Sequence, residues 1–315
     1  MVSGHGPDRT SVVVTGGSGF IGRAVVRALR DRGVPVTVVD RVPFPEDLDG
    51  VRAVVGNLRE PAVREEAVTR ETAGIVHLAG LTSVLKSVEL PEDTFADNVL
   101  VTQELLELAR RHEVPKFLLA STNAVIGNVG GATITPDLPL RPLTPYGATK
   151  AACEMLLSGY AGAYGMTTCA LRFTNVYGPG MSHKDSFVPR MMRAALSGGG
   201  VKIYGDGRQR RDLVHVDDVV RAILLALDSG HSGRAIVGAG RSVSVLEMVE
   251  AVREVTGAEL PVEHVDAPAG EMPAVVVDVS ASAETIGYRP EVSLTDGLAT
   301  AWKYFSGLDR PNATP

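Results

Sequence analysis

Tyr146-Gly147-Ala148-Thr149-Lys150 sets a phenol and an ammonium group four residues apart, on one face if the segment is helical. A free tyrosine ionises near pH ~10, too high for a base at neutral pH, and an adjacent lysine charge stabilises its phenolate. Such a pair can take the proton of a hydroxyl as a hydride leaves the same carbon. Taken alone, it is also compatible with an ordinary helix surface. Upstream, an apolar segment, Lys116 to Ala120, runs into Ser121-Thr122-Asn123-Ala124-Val125-Ile126-Gly127. If that segment is a strand, its carboxyl end carries hydroxyls where α/β sheets bind ligands, and one of them can share a proton with Tyr146 and a substrate. Serine and threonine also open ordinary loops.

A redox partner for this pair is written near the start of the chain. Ser11-Val12-Val13-Val14 leads into Thr15-Gly16-Gly17-Ser18-Gly19-Phe20-Ile21-Gly22 and then an amphipathic segment, the strand, tight turn and helix that dinucleotide binding needs. Gly16 suits the turn, Gly19 the approach of backbone to pyrophosphate, and Gly22 close packing of helix on strand. Asp40 ends the next apolar run, Val36-Thr37-Val38-Val39, eighteen residues after Gly22. A carboxylate there accepts from both adenosine ribose hydroxyls and repels a 2′-phosphate, which favours NAD. The adjacent Arg41 leaves NADP as the alternative.

The elements that must position these groups follow from the pattern of apolar residues. Short apolar runs alternate with helix-period segments, which predicts a parallel sheet covered on both faces. Strands are expected at Ser11 to Thr15, Val36 to Asp40, Ala53 to Val55, Gly74 to Leu78, Lys116 to Ala120 and Thr167 to Phe173. Helices are expected at Ile21 to Arg32, Pro61 to Thr69, Asp93 to His112 and Tyr146 to Tyr164. The fold class is therefore α/β, a Rossmann-type doubly wound parallel sheet with a smaller, discontinuous carboxyl-terminal substrate lobe. Residues 1–178 are expected to form the NAD-binding domain, with 212–240 returning to it, and 179–315 the substrate-binding lobe. The tail from Asn312 to Pro315 reads as frayed.

Composition excludes several classes. Hydrophobic residues make up 44% and charged residues 22%, so the chain of 315 residues can bury a large core and is neither disordered nor a disulfide scaffold. A net charge of −6 argues against a nucleic-acid binder, although the Arg208, Arg210 and Arg211 cluster can hold a phosphate. Cys153 and Cys169 lie in apolar segments without metal-ligand spacing, so buried thiols and no metal are expected. Met1 to Thr10 lacks an apolar signal core and no segment reaches the roughly eighteen apolar residues of a membrane span, so a cytoplasmic location is expected.

Taken together, the motifs TGGSGFIG (Thr15 to Gly22), HLAG (His77 to Gly80), STNAVIG (Ser121 to Gly127), YGATK (Tyr146 to Lys150), LRFTNVYGPG (Leu171 to Gly180) and YGDGRQRRDLVHVDD (Tyr204 to Asp218) resemble those of the extended short-chain dehydrogenase/reductases, specifically the NAD-dependent nucleotide-sugar epimerase/dehydratase family. The resemblance runs from about Ser11 to Phe305. It implies a catalytic set of Thr122, Tyr146 and Lys150. It implies dinucleotide contacts from Gly16, Gly19, Phe20, Ile21, Gly22, Asp40, Asn57, Leu58, Leu78, Ala79, Gly80, Tyr146 and Lys150, with Asn98 near the nicotinamide and sugar. It also implies that Asn175 binds the nucleotide sugar, that Arg211 pairs with its diphosphate, and that the helices Asp93 to His112 and Tyr146 to Tyr164 join two copies into a homodimer. A guanidinium suits a diphosphate because it is planar and always charged.

Within such a family the reaction turns on the groups beside Thr122. Family dehydratases carry Asp-Glu directly after this threonine, and the decarboxylases place a glutamate at the second of these positions; this chain has Asn123-Ala124. Without those carboxylates the simplest fate of a 4-keto sugar is rotation and return of the hydride, which is 4-epimerisation of a UDP sugar. Dehydration, UDP-glucuronate decarboxylation, UDP-glucuronate 4-epimerisation and a non-enzymatic NAD sensor or scaffold are the rival readings. Five positions depart from, or bear on, the family pattern. Pro268 stands where many relatives have a second diphosphate arginine. Ile126 replaces a tyrosine, and Val275 falls where epimerases limit pocket size. His183 and Lys184 either meet a substrate carboxylate or belong to a surface loop.

Overall fold

The computed structural model describes residues 9–266 and 274–308. Its centre is a sheet of seven parallel strands. Five of them are β1 (Ser11–Thr15), β2 (Val36–Asp40), β3 (Val51–Val55), β4 (Thr72–His77) and β5 (Lys116–Thr122). The other two are Thr167–Phe173 and Gly233–Val237. Across the sheet the order is Gly233–Val237, Thr167–Phe173, β5, β4, β1, β2, β3, so the chain reverses direction of travel between β1 and β4. Ligands bind at such a switch point, outside the carboxyl ends of the strands.

Strand β1 shows why the apolar runs are continuous rather than alternating. Val12 and Val14 face one layer, with Val25, Val26 and Leu29 of α1 (Phe20–Asp31), while Val13 faces the opposite layer. Both faces are covered, so the three central positions are all apolar. In α1 the buried residues recur at the three- and four-residue spacing of one helical stripe. The second layer is built by α2 (Pro61–Ala67), by α5 (Val101–Arg111) through Leu105 and Leu106, and by α6 (Pro145–Tyr164) through Cys153 and Leu157. The first layer is completed by Val219, Val220 and Ile223 of α8 (Val216–Asp228).

Two boundary differences bear on the site. β5 runs two residues past Ala120, so Ser121 and Thr122 are paired strand residues, in register with Arg172 and Phe173, rather than loop. The expected helix from Asp93 to His112 is present, starting at Pro91: after α3 (Val84–Glu89), α4 (Pro91–Phe95) runs through a π-turn at Ala96–Leu100 into α5 without leaving the helical backbone region. A π-turn inserts a residue into the helical register, which a strict 3.6-residue pattern cannot foresee.

A second core lies beyond the sheet edge. It joins α7 (Phe187–Ser197), α9 (Val245–Thr256) and α11 (Leu294–Leu308) through Met191, Met192, Met248, Val252, Leu298 and Phe305. A short sheet runs in the order Ser242–Ser244, Arg210–His215, Asn175–Tyr177. Pro268 and the tail from Asn312 lie outside the described residues. No helix among the described residues is long and apolar enough to cross a membrane.

α6 and the end of β5 are held together by buried charge. Glu154 on α6 and Arg172 on the neighbouring strand have side chains with 0% exposure and pair through Oε2 at 2.7 Å and Oε1 at 2.9 Å. Ser121 Oγ donates to the same carboxylate at 2.6 Å, and Arg234 Nε donates at 3.1 Å. Glu154→Ala strands Arg172 without its partner. The expected cost is about 3–5 kcal/mol, read as a shift in the denaturant midpoint, whereas a loss below about 1 kcal/mol contradicts this reading.

Candidate active site

One cleft of about 1310 Å³ opens along the carboxyl edge of the sheet and continues into the second lobe. Gly16, Gly19, Phe20, Ile21, Gly22, Asp40, Asn57, Leu58, Leu78, Ala79, Gly80, Thr122, Tyr146, Lys150, Asn175 and Arg211 all line it. Residues up to 195 positions apart in sequence, from Gly16 to Arg211, thus share one surface.

Its floor at the β1 end is shaped to receive an anion. A Cβ on Gly22 would lie 2.2 Å from the Gly16 carbonyl oxygen, so only glycine lets α1 start this close to the turn. Gly19 caps α1 with no side chain bonded over the first turn, which leaves backbone N–H groups available to a pyrophosphate. Asp40 lines the cleft at the end of β2 and is fixed there, its Oδ2 accepting from the Ser18 N–H at 3.1 Å. Arg41 is held by Asp97, through Nη2 to both carboxylate oxygens at 3.0 and 3.1 Å. The cation that left NADP open is therefore already paired, and the donor set fits NAD.

A hydrogen-bond chain fixes the loop after β4. Thr102 Oγ1 donates to the Asn98 carbonyl at 2.6 Å, so its oxygen accepts from His77 Nε2–H at 3.1 Å. His77 Nδ1 then accepts from Thr15 Oγ1 at 2.7 Å, and Thr15 in turn accepts the Ala79 N–H at 3.2 Å. This requires neutral His77. Burial, with the nearby Lys150 charge adding to it, pushes its pKa down to about 3.

Asn98, expected near the nicotinamide and sugar, is buried behind the cleft wall rather than on its surface. Its amide is used up behind the wall. Oδ1 accepts from the Leu81 N–H at 2.8 Å, and Nδ2 donates to the Leu81 carbonyl at 3.1 Å and to Thr149 Oγ1 at 3.0 Å. It is carried by the π-turn and ties the Gly80-Leu81 loop to α6, so it positions the cleft wall from behind.

Thr122, Tyr146 and Lys150 come together where α6 begins. Thr144 caps the helix through the Gly147 N–H at 3.2 Å and Pro145 occupies the first turn, which places Tyr146 at the helix start. A Cβ on Gly147 would sit 2.6 Å from the Ala124 carbonyl oxygen, so this glycine allows α6 to close on the turn after Thr122. Thr122 Oγ1 accepts from the Ala124 N–H at 3.2 Å, which leaves its proton for Tyr146. Burial raises the Tyr146 phenol above its ordinary range, and the hydrogen bond with Thr122 opposes that shift. Lys150, 2% exposed, is pushed down by burial, with Cys153 and Glu154 opposing.

Other expectations sort cleanly. Lys184 lines the cleft and His183 does not. Of the arginine cluster, Arg211 lines it, while Arg208 lies 3.8 Å from Asp206 and Arg210 reaches the Ser242 carbonyl. Val275 and Ile126 are packed together in an apolar cluster with Ile134 and Ile236, so Val275 does not limit the cleft. Cys153 and Cys169 are buried free thiols, and burial pushes Cys169 up to about 12. Among the described residues no cluster of His, Cys, Asp or Glu could hold a metal. Sequence reasoning missed Lys86, Asp97, Tyr204 and Gln209, which also line the cleft. Lys86 lies on α3, a helix the pattern did not reveal.

Residues 12–239 match the model of the NAD dependent epimerase/dehydratase family. A dTDP-glucose 4,6-dehydratase of Streptomyces griseus is 35% identical over 308 residues, covering 93% of this chain and 94% of that one. Among solved structures, MoeE5 in complex with UDP-glucuronic acid and NAD is 36% identical with a TM-score of 0.87, over 95% of this chain and 99% of that one. The UDP-glucose 4-epimerase of Thermotoga maritima with UDP-glucose is 31% identical with a TM-score of 0.89, over the same shares. With the nucleotide cradle, the paired Arg41 and the Thr122, Tyr146, Lys150 constellation on one cleft, the chain belongs to the NAD-dependent epimerase/dehydratase family of extended short-chain dehydrogenase/reductases, an enzyme family whose cofactor is NAD.

Proposed function

We propose that this chain interconverts the C4 epimers of a UDP sugar through a transient 4-keto sugar. The observation that carries this reading is the acid content of the cleft. Among the described residues, its only carboxylates are Asp40 and Asp97, both committed at the adenosine end, to Ser18 and to Arg41 and Arg59. Removing water across C5 and C6 needs an acid and a base beside the sugar. Thr122 is followed instead by a neutral amide and a methyl group, Asn123 and Ala124.

Bound NAD supplies a reversible acceptor for the C4 hydride. Tyr146, as phenolate, takes the C4 hydroxyl proton, Thr122 shares that hydrogen bond, and the Lys150 charge lowers the cost of the phenolate. The keto sugar turns over in the wide cleft and receives hydride and proton on its other face, with no net redox change. Arg211 is assigned to the diphosphate and Asn175, whose Nδ2 donates to the Asp212 carbonyl at 2.9 Å, to the nucleotide sugar. UDP is favoured as the nucleotide because the solved relatives above hold UDP-glucuronic acid and UDP-glucose.

Dehydration is the second reading, favoured by the likeness to the Streptomyces griseus dehydratase. Incubating the NAD-bound enzyme with UDP-glucose, UDP-galactose, their N-acetyl forms and UDP-glucuronate separates the two. An equal-mass C4 epimer supports epimerisation, and a product lighter by one water contradicts it. Tyr146→Phe is expected to lower turnover by about 10²- to 10⁴-fold with NAD still bound, and an unchanged rate removes the tyrosine from the chemistry.

The pH dependence has a definite sign. Tyr146 acts in its deprotonated form and burial raises its pKa, so activity rises with pH through that value. Lys150→Met removes the opposing positive charge and is expected to move the rising limb to higher pH. A limb that stays in place or moves down contradicts the role given to Lys150.

A homodimer is part of this proposal. Val99, Ala152, Met155, Leu156, Gly159, Tyr160, Ala163 and Tyr164 form a shallow apolar surface beside α5 and α6, with Met155 46% and Tyr164 57% exposed. Light scattering at micromolar concentration is expected to give a dimer that Met155→Glu converts to monomer. A parent that is already monomeric removes the dimer.

A further inference from the structure

The last residue of β2 and the one after it favour different cofactors. A carboxylate at the end of this strand accepts from the hydroxyls of an adenosine ribose, as in NAD, whereas an arginine nearby accommodates the 2′-phosphate of NADP. Asp40 and Arg41 offer both, and both line the cleft. Asp40 is fixed by backbone, accepting from the Ser18 N–H at 3.1 Å and the Val42 N–H at 3.3 Å. The choice between the cofactors therefore turns on what Arg41 is free to do.

Arg41 is held from another part of the chain. Its Nη2 donates to both oxygens of Asp97, at 3.0 and 3.1 Å, and among the described residues this carboxylate is the one partner of its guanidinium. Asp97 sits in the π-turn at Ala96–Leu100 and lines the cleft, its side chain 12% exposed against 60% for Arg41. The same Asp97 Oδ1 accepts from Arg59 Nε at 2.6 Å, and Arg59 Nη2 also donates to Asp93 Oδ1 at 2.9 Å. Two guanidiniums and two carboxylates thus form one set whose charges cancel. A 2′-phosphate arriving beside Asp40 must take Arg41 away from Asp97 while facing both carboxylates. Without Asp97, Arg59 keeps Asp93, but Arg41 is left with no carboxylate and with a like charge close by, which a phosphate relieves.

We propose that Asp97 is a specificity residue for the cofactor: by holding Arg41 it denies a 2′-phosphate the guanidinium next to Asp40 and confines the enzyme to NAD, whichever reaction the bound cofactor serves. Specificity is a difference of affinities, and here NADP loses a charged donor that NAD does not need. Asp40 repels the 2′-phosphate directly, and Asp97 removes the cation that would offset that repulsion.

The test equilibrates the protein with NAD and NADP together at a fixed ratio, removes free nucleotide, and measures the two bound dinucleotides by chromatography after denaturation. It reads binding and needs no turnover. The parent is expected to hold mainly NAD. Asp97→Ala is expected to raise bound NADP relative to NAD about tenfold, the low end for a charge-assisted hydrogen bond because solvent screens the exposed Arg41. Asp97→Asn keeps the shape of the side chain, covers the case in which the alanine variant folds poorly, and must move the ratio in the same direction. Arg41→Ala added to either Asp97 variant must cancel the gain, whereas Arg41→Ala alone is expected to change the parent's ratio less than threefold, because the charge it removes is already paired. A gain below twofold in both Asp97 variants, a gain that survives the loss of Arg41, Asp97 variants that hold neither dinucleotide, or a parent that holds mainly NADP overturns the assignment.

Discussion

Lys150 carries an ammonium group with almost no exposed surface, and the cost of burying that charge constrains everything placed around it. Burial pulls its pKa down, and Glu154, one helical turn further along α6, works against that loss. Glu154 in turn is held by Arg172, Arg234 and Ser121. One carboxylate thus helps keep a buried lysine charged, and it fastens α6 to the edge of β5. Thr122, adjacent to Ser121, and Tyr146, one turn before Lys150, inherit their separation from that fastening.

The same economy governs the opposite wall. Neutral His77 links Thr15, at the end of β1, to Thr102 on α5, and Asn98 links the Gly80-Leu81 loop to Thr149 on α6. These residues hold the backbone after β4 from behind, leaving Leu78, Ala79 and Gly80 to face the cleft. Rigid walls and a wide interior suit a reaction in which a keto sugar must present both faces to one hydride acceptor and one tyrosine.

Much of this was legible in the sequence because it depends on local rules. The strand, glycine turn and helix from Ser11 to Asp31, the carboxylate at Asp40 and the Tyr146 and Lys150 spacing each follow from backbone geometry that a few residues determine. What escaped depends on register or on distant partners. The π-turn at Ala96–Leu100 shifts the register inside a helix that a uniform period had drawn, and it carries Asn98 behind the cleft wall. α3 was missed because its Val84, Leu85 and Val88 are exposed, so it has no buried stripe to give a periodic signal. Glu154 and Arg172 are paired at zero exposure across a helix and a strand, a contact that no local pattern carries. Val275 was assigned by alignment to the pocket, and the structure instead buries it beside Ile126.

In 4-epimerisation the hydrogen removed from C4 returns to C4. Incubating the NAD-bound enzyme with UDP-glucose carrying deuterium at C4 tests it directly, with the product read by NMR. The account predicts a C4 epimer of unchanged mass with the deuterium still at C4. Deuterium found at C6 of a product lighter by one water, or lost to solvent, would contradict it.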